Sequence, residues 1–330
     1  MGFLSAIFSG SENSIPESPS ECLALFKAGD IGKSRQSQRQ YNLIQRAMGA
    51  GIKEAKVRFV DTFSWESNNA IIIKEVRQII EKALDEDDHD LKLLYAEMLV
   101  HGRGFVARNP AQAWLIYTEL ANKGSPIAAY EVGLKALRDC KYQEAISWLT
   151  KADLGDFGVN QALGDAYMRG LSIPSRALQE FAEYITNGTI GFADETNSKP
   201  TTEDVRLSLQ YYRNAINFYP SGMVHPNCDA MYAVADCIRI LGFENKGLIN
   251  EFVNNLVRAS EYNHFRATFD LACLYSEDKV VPLNLSLAKK YARSAISINS
   301  KSGGVFVGYS SAEEARRVVA IRRLNEILGS

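Results

Sequence analysis

The chain lacks the features that define several large classes of protein. Its 37 Lys and Arg are balanced by 39 Asp and Glu, and the formal net charge is -2. Such a chain has no basic excess of the kind that neutralises the phosphates of a nucleic acid. No apolar run approaches the length of a membrane span. We therefore expect a protein that neither binds nucleic acid nor crosses a membrane.

Cysteine is scarce, and its positions form no motif. The five cysteines are Cys22, Cys140, Cys228, Cys237 and Cys273. Their number is odd, and no two have the C-x-x-C spacing of a zinc or redox site. This pattern predicts buried free thiols in a reducing compartment.

The first 20 residues are not expected to act as a targeting signal. Residues 1–8 are apolar but lack the positive flank of a signal peptide. Ala6 stands where an acylation signal at Gly2 requires Ser or Thr. Residues 9–20 are rich in Ser, Glu, Asn and Pro, a composition typical of disorder. We predict a cytoplasmic protein with a disordered segment at 1–20.

The residues that carry chemistry form no catalytic or metal-binding pattern. The four histidines, His89, His101, His225 and His264, include no i, i+4 pair. There is no G-x-S-x-G nucleophile motif. The acidic run at 85–90 lies at a predicted helix junction, where carboxylates stabilise the start of the next helix; docking of a basic partner there is the alternative. We predict no enzyme, no cofactor and no metal.

A repeat organises the rest of the chain. Its template begins with the apolar stretch 91–99, continues through Gly102-Arg103-Gly104 and ends with a second apolar stretch at 113–121, followed by Gly124. Apolar residues fall at helical spacing in both stretches, with a glycine-rich turn between them. The template therefore predicts two antiparallel helices, each with one buried stripe.

The first helix of the template occurs six times along the chain. Its starting residue is Ala55, Leu91, Ala128, Val159, Ala230 and Ala267. Five positions later comes a small or β-branched residue: Val60, Ala96, Gly133, Gly164, Ala235 and Ala272. A small residue at a fixed place allows two helices to approach closely, so we expect these positions in helix contacts.

The second helix recurs around a pivot that is mostly alanine. The pivots are Ala47, Ala83, Leu120, Ala152, Ala215, Ala259 and Ala295. Four residues beyond them stand Gly51, Asp87, Gly124, Asp156, Asn263 and Asn299. Glycine, and next Asn and Asp, tolerate the left-handed backbone that ends a helix. These six residues are therefore predicted helix ends.

The starting residues are spaced by 36, 37, 31, 71 and 37 positions. The long interval predicts an insertion at about 171–203, and a degenerate extra repeat is the alternative. A glycine-rich connection and a capping helix follow, the helix running from about residue 311 to 328. We thus predict a repeat region over 21–300 and a linker with a cap over 301–330.

The template resembles the Sel-one-like repeat, a relative of the tetratricopeptide repeat, most closely at 91–124 and 128–156. The resemblance implies an all-α fold, a right-handed α-solenoid of antiparallel helix pairs. It also implies a scaffold or adaptor for protein–protein interaction, often bacterial. Secreted members carry a disulfide in each repeat, and this chain departs from them because its cysteines do not follow the repeat period.

First helices line the concave face of such solenoids, so equivalent positions form rows along it. We predict a partner-binding groove made by Asp61, Trp65, Glu97, His101, Tyr130, Arg138, Asp165, Arg169, Tyr232, Asp236 and Phe269. The i, i+4 charge pairs in these rows also stabilise an exposed helix without any partner, which is the simpler interpretation. The insertion at 171–203 is the second candidate site.

Three functions remain open from the sequence. The first is a non-catalytic scaffold that holds a protein or peptide partner on its concave face, with a monomer favoured. The second is an immunity or inhibitor protein that neutralises a partner toxin or enzyme. The third is an enzyme or small-ligand binder that uses the insertion.

Overall fold

A computed structural model describes residues 15–29, 38–64, 69–152, 155–168, 200–220, 226–243, 246–301 and 311–329. Fifteen helices and no strand lie within these ranges. The all-α solenoid of helix pairs that the sequence predicts is confirmed. The chain divides into two compact units, unit 1 over Met1–Ala128 and unit 2 over Ala129–Ser330.

Unit 1 is built from six helices, each packed on the next. They are α1 (Pro19–Gly29), α2 (Gln38–Gly49), α3 (Lys53–Phe63), α4 (Ala70–Asp85), α5 (His89–His101) and α6 (Pro110–Asn122). The first helices of successive repeats, α3 and α5, also contact each other. This second set of contacts is what stacks one repeat upon the next.

Unit 2 continues the pattern. Its helices are α7 (Pro126–Arg138), whose first turn belongs to unit 1, α8 (Tyr142–Ala152), α9 (Phe157–Tyr167), α10 (Thr202–Asn217), α11 (Cys228–Leu241), α12 (Lys246–Glu261), α13 (Phe265–Ser276), α14 (Leu285–Lys301) and α15 (Ser311–Gly329). Consecutive helices from α8 to α15 pack on one another. Helix α15 lies where the sequence predicts the terminal helix, and it packs on both α13 and α14.

The repeat positions form the core. All six starting residues and all seven pivots are buried. The small residues five positions after each start are buried as well. At Gly133 an added Cβ would lie 2.7 Å from Cγ of Leu149, so only glycine allows α7 and α8 to pack at this distance.

At three of the described junctions between repeats, one residue of a short turn has two roles. The amide of His264 donates to the carbonyl of the pivot Ala259, which closes α12 with the hydrogen bond of a Schellman turn. The side chain of His264 then accepts from the amide of Ala267 and caps α13. The same pair of bonds is made by Asp88 between α4 and α5 and by Ser125 between α6 and α7.

The predicted helix ends are correct at four positions and wrong at two. The backbone is left-handed at Gly51, Gly124, Asp87 and Asn263, with φ of 79°, 90°, 55° and 62°. Asp156 instead has φ of -102° and caps the start of α9, because Gly155 takes the left-handed conformation one residue earlier. Asn299 lies within α14, which continues to Lys301.

Candidate protein-binding surface

Two of the predicted site residues in unit 1 are partly exposed on neighbouring first helices. Asp61 on α3 and Glu97 on α5 are half-buried, and His101 at the end of α5 is exposed. Glu97 accepts a hydrogen bond from the buried guanidinium of Arg103 at 2.5 Å. The pair holds the Glu97 carboxylate at the surface of α5.

Arg103 is positioned by the glycine turn that follows α5. Gly102 and Gly104 have φ of 71° and 58°, a conformation that side chains rarely adopt. A Cβ at Gly104 would also lie 2.8 Å from the carbonyl oxygen of Ser64. Both glycines are thus needed for the turn that buries Arg103 beneath Glu97.

In unit 2, Tyr130 on α7 and Asp165 on α9 are also half-buried. A Cβ at Gly158 would lie 2.9 Å from Oη of Tyr130, so the missing side chain leaves room for the hydroxyl beside the start of α9. Burial raises the pKa of Tyr130, and the carboxylates of Asp156, Glu131 and Asp165 raise it further. The ring therefore sits in a negatively charged environment.

The carboxylate of Asp165 is held in place by α10. The hydroxyl of Tyr212 donates to its Oδ1 at 2.6 Å. The Tyr212 ring occupies the space left by Gly164, where a Cβ would be 2.6 Å from Cε1 of the ring. The hydroxyl of Ser208 donates to the carbonyl of Gly164 at 2.8 Å, which fixes the same crossing of α9 and α10.

Three predicted site residues are core residues instead. Tyr232, Asp236 and Phe269 expose 3%, 5% and 1% of their surface. Helix α11 packs on α10 and α12 and is buried at every position from 230 to 238. The side that faces the predicted groove is therefore covered as fully as the sides that face these two helices. The prediction that these three side chains face a partner is wrong, and we remove them from the candidate surface.

The polar side chains of α11 and α13 form a buried network that the sequence did not indicate. Arg239 donates to Oδ2 of Asp270 at 2.5 Å and lies 3.3 Å from Oδ1 of Asp236. The hydroxyl of Tyr232 donates to the same Oδ2 at 3.0 Å. Burial raises the pKa of Tyr232 well above its ordinary value, and the carboxylates of Asp236 and Asp270 add to this.

The remaining predicted site residues divide into exposed ones and ones that the structure does not describe. Arg138 is exposed at the end of α7. Trp65 and Arg169 lie outside the described residues, as does the interval 171–199 within the predicted insertion. The candidate surface therefore consists of Asp61, Glu97 and His101 in unit 1 and, separately, of Tyr130, Arg138 and Asp165 in unit 2.

The acidic run at 85–90 has a structural role. Lys92 and Lys123 donate to the two carboxylate oxygens of Asp87 at 2.5 and 2.8 Å. Asp88 caps α5 by accepting from two amides of its first turn, and Lys53 lies 3.6 Å from it. Hydrogen bonds from Lys123 and Lys92 hold the pKa of Asp87 well below its usual range.

An open groove of about 420 Å³ lies elsewhere in unit 2, where the turn before α8 meets α9 and the start of α10. Its lining includes Cys140, Lys141, Tyr142, Glu144, Tyr167 and Asp204. Burial and a hydrogen bond with Cys140 raise the pKa of Tyr142 to about 12. No group of three or more His, Cys, Asp and Glu that could hold a metal occurs in this groove or in the rest of the described chain.

Two solved structures are similar to this chain. One is a Sel1 repeat protein from Oxalobacter formigenes, 16% identical over 85% of this chain and 99% of its own, with a TM-score of 0.47. The other is a protective antigen present in uropathogenic Escherichia coli strains, displaying an SLR fold. It is 14% identical over 94% of this chain and 70% of its own, with a TM-score of 0.42.

Both neighbours carry the repeat that the sequence resembles. No protein-family model and no curated protein matches the chain. Among the helices that the structure describes, none is both long and apolar enough to cross a membrane.

Proposed function

We propose that this chain is a protein-binding scaffold that carries out no reaction of its own and holds its partner on the exposed residues of its first helices. The observation that carries the proposal is a contrast between equivalent positions. Six residues after the repeat start, Asp61, Glu97 and Asp165 are partly exposed, whereas Asp236 is buried. The partly exposed carboxylates of this row thus lie on α3 and α5 of unit 1 and on α9 of unit 2.

The chemistry of these positions suits a protein partner. Leu93 and Leu94 of α5 are half-buried beside Glu97 and offer apolar area next to an ordered carboxylate. Tyr130 offers an aromatic ring beside Asp165 in unit 2. Interfaces combine aromatic or aliphatic anchors with a polar rim, and tyrosine is among the residues that contribute most binding energy.

The test is affinity capture from the native cell extract, followed by mass spectrometry. The intact chain serves as bait beside two surface variants, Asp61→Lys in unit 1 and Tyr130→Ala in unit 2. Glu81→Lys is the matched control, since Glu81 is an exposed residue of the second helix α4. We expect one stoichiometric partner that is retained by the control and weakened by at least one surface variant.

Cross-linking of the captured complex locates the contact. Cross-links to Lys56 of α3 or Lys135 of α7 support the proposed surface. Cross-links confined to residues 171–203 contradict it and favour the insertion as the binding site. The identity of the partner separates an adaptor from an inhibitor of a toxin or enzyme, and capture of no partner contradicts the scaffold itself.

A further inference from the structure

We propose that the junction between α12 and α13 responds to pH, because a second proton on the ring of His264 removes the cap of α13. We call this segment, residues 262–267, the His264 junction. The inference goes beyond the proposed function and does not depend on it, since it concerns how two repeats of unit 2 are held together.

The ring of His264 holds the start of α13 through one of its nitrogen atoms. Its Nδ1 accepts a hydrogen bond from the amide of Ala267 at 3.1 Å, and the backbone of His264 is extended, with φ of -72° and ψ of 103°, as is usual for a capping residue. Ala267 is fully buried, so its amide depends on this acceptor. A nitrogen that accepts carries no hydrogen, so the neutral ring has its proton on Nε2.

The other ring nitrogen faces a carboxylate of α11. Nε2 lies 3.4 Å from Oδ1 of Asp229. A hydrogen bond from His264 holds the pKa of Asp229 below its ordinary value, and the charge of Arg266 acts in the same direction. Both nitrogens of the neutral ring are thus engaged, one as an acceptor for α13 and the other as a donor to α11.

A second proton changes these two bonds in opposite ways. It binds to the lone pair of Nδ1, and the acceptor for Ala267 becomes a donor that faces another donor. The bond from Nε2 to Asp229 remains and gains charge. At the equivalent junctions Asp88 and Ser125 accept through oxygen atoms, which have more than one lone pair. The response to a proton is therefore a property of the His264 junction.

Three helices that meet at the junction carry charged and titratable groups on their adjoining turns. These groups are Asp229 and Tyr232 of α11, Arg258 and Glu261 of α12, and Arg266 of α13. The ring centroids of Tyr232 and His264 lie 4.9 Å apart, with the planes tilted by 31°. The two carboxylates favour a second proton on the ring, whereas the two arginines oppose it.

The cap outweighs the attraction of the carboxylate. Asp229 exposes 79% of its side chain, and ion pairs as exposed as this are screened by water and contribute little. The amide of Ala267, in contrast, would be left buried without an acceptor, which costs more than a screened pair returns. The folded state thus binds fewer protons than the unfolded state, so stability falls as pH falls through the range in which histidine changes charge.

Loss of the cap would also affect the contact between α11 and α13. The ring of Tyr232 lies against that of His264, and its hydroxyl donates to Oδ2 of Asp270 on α13 at 3.0 Å. Helices α11 and α13 are the first helices of successive repeats. Fraying of the first turn of α13 therefore loosens the packing of one repeat on the next.

The experiment compares thermal unfolding of the full chain and of His264→Asn between about pH 7.5 and about pH 5.5, where histidine ordinarily changes charge. Asparagine is a strong helix cap and takes up no proton in this range. We expect the Tm of the parent chain to fall by about 2–4 °C more than that of His264→Asn. His264→Ser is the second capping variant if His264→Asn does not fold, because serine already caps the equivalent junction at Ser125.

Two further variants separate the cap from general effects of acid. His89→Asn is the matched control: His89 also lies near an aspartate, 3.8 Å from Asp87, but Asp88 is the cap of its helix. We expect this variant to keep the pH dependence of the parent chain. Asp229→Asn keeps the cap and removes the carboxylate that attracts the second proton, so the fall in Tm should begin at a lower pH.

Nuclear magnetic resonance of the chain labelled with ¹⁵N-histidine locates the ring proton directly. We expect neutral His264 to carry its proton on Nε2, and a proton on Nδ1 overturns the inference. Equal losses of Tm in the parent chain and His264→Asn overturn it as well. A parent chain that gains stability on acidification relative to this variant also does so, because the ion pair with Asp229 would then outweigh the cap.

Discussion

Tyr212 on α10 donates its hydroxyl hydrogen to Asp165 on α9 across 2.6 Å, while its ring fills the space where a side chain at position 164 would lie. One buried tyrosine thereby sets the distance between two helices and the position of a surface carboxylate. Packing and the candidate binding surface are coupled at this crossing, so a change in the core beneath Asp165 is expected to affect both.

Gly164→Ala tests this coupling. Its Cβ would lie 2.6 Å from Cε1 of Tyr212, so α9 and α10 must separate, and we expect a loss of about 1–3 kcal/mol in the free energy of unfolding. Urea denaturation measures the loss. Gly49→Ala is the matched control: nothing lies within 4 Å of its Cβ at the end of α2, and we expect unchanged or slightly greater stability. Equal effects at the two positions would contradict the packing argument.

Asp270→Ala tests the buried network of α11 and α13. The substitution takes from Arg239 and Tyr232 an acceptor that is 95% buried, and removing one partner of a buried ion pair costs about 3–5 kcal/mol. Chemical denaturation is again the measurement. Asp139→Ala breaks the exposed pair with Lys135 and should leave stability nearly unchanged. A small effect at Asp270 would mean that Asp236 alone suffices to pair Arg239.

Asp87→Asn tests the lysine cluster at the junction of α4 and α5. The folded pKa of Asp87 is below its ordinary value of 3.8, so the folded state binds fewer protons than the unfolded state. The stability that the Asp87 carboxylate contributes is therefore complete when the pH is above 3.8, and it is lost as the pH falls below that ordinary value. Asparagine tolerates the left-handed φ of 55° at this position, so the substitution changes charge and not backbone.

We expect the parent chain to exceed Asp87→Asn in stability at neutral pH, with the difference shrinking below the ordinary pKa. Thermal denaturation at a series of pH values measures both proteins. A difference that stays constant down to the acid limit would show that the three charges of Asp87, Lys92 and Lys123 do not stabilise the fold as a cluster.

The exposed and the buried cysteines should differ sharply in how fast their thiols react. Cys140 is exposed, whereas Cys22 and Cys237 are buried, and burial raises the pKa of Cys237 to about 12. The thiolate is the reactive form, so an aromatic disulfide reagent near neutral pH should label Cys140 first and Cys237 only on unfolding. Cys140→Ser should abolish the rapid phase. Persistence of that phase in the variant would place the most accessible thiol elsewhere.

The sequence predicts the fold well because burial at the repeat positions follows from helical periodicity. Ala55, Ala96 and Ala215 are at fixed places in the template, and each is fully buried. Periodicity identifies the side of a helix that carries the core. It also locates the turns, since Gly51 and Gly124 mark places where the backbone must be left-handed.

The sequence predicts the surface less well, because periodicity does not say how many neighbours cover a given face. Asp165 and Asp236 occupy the same template position, yet one is partly exposed and the other is buried beside Arg239. The buried Asp236 needs a partner for its charge, and that partner, Arg239, is at none of the repeat positions that the sequence comparison used. Asp270 lies three residues after its repeat start, and the sequence pattern gave no reason to pair it with α11.

The junction residues Asp88, Ser125 and His264 each end one helix and begin the next. At such a junction, adding or removing a single residue would mean that the residue whose amide closes one helix no longer caps the next. Both helix ends would then be destabilised by the same change. The turn from α5 to α6 lies inside a repeat and divides these roles, because Arg103 closes α5 and Asn109 caps α6, so this turn can change in length at lower cost. The longest interval between described helices, from α9 to α10, likewise lies inside a repeat.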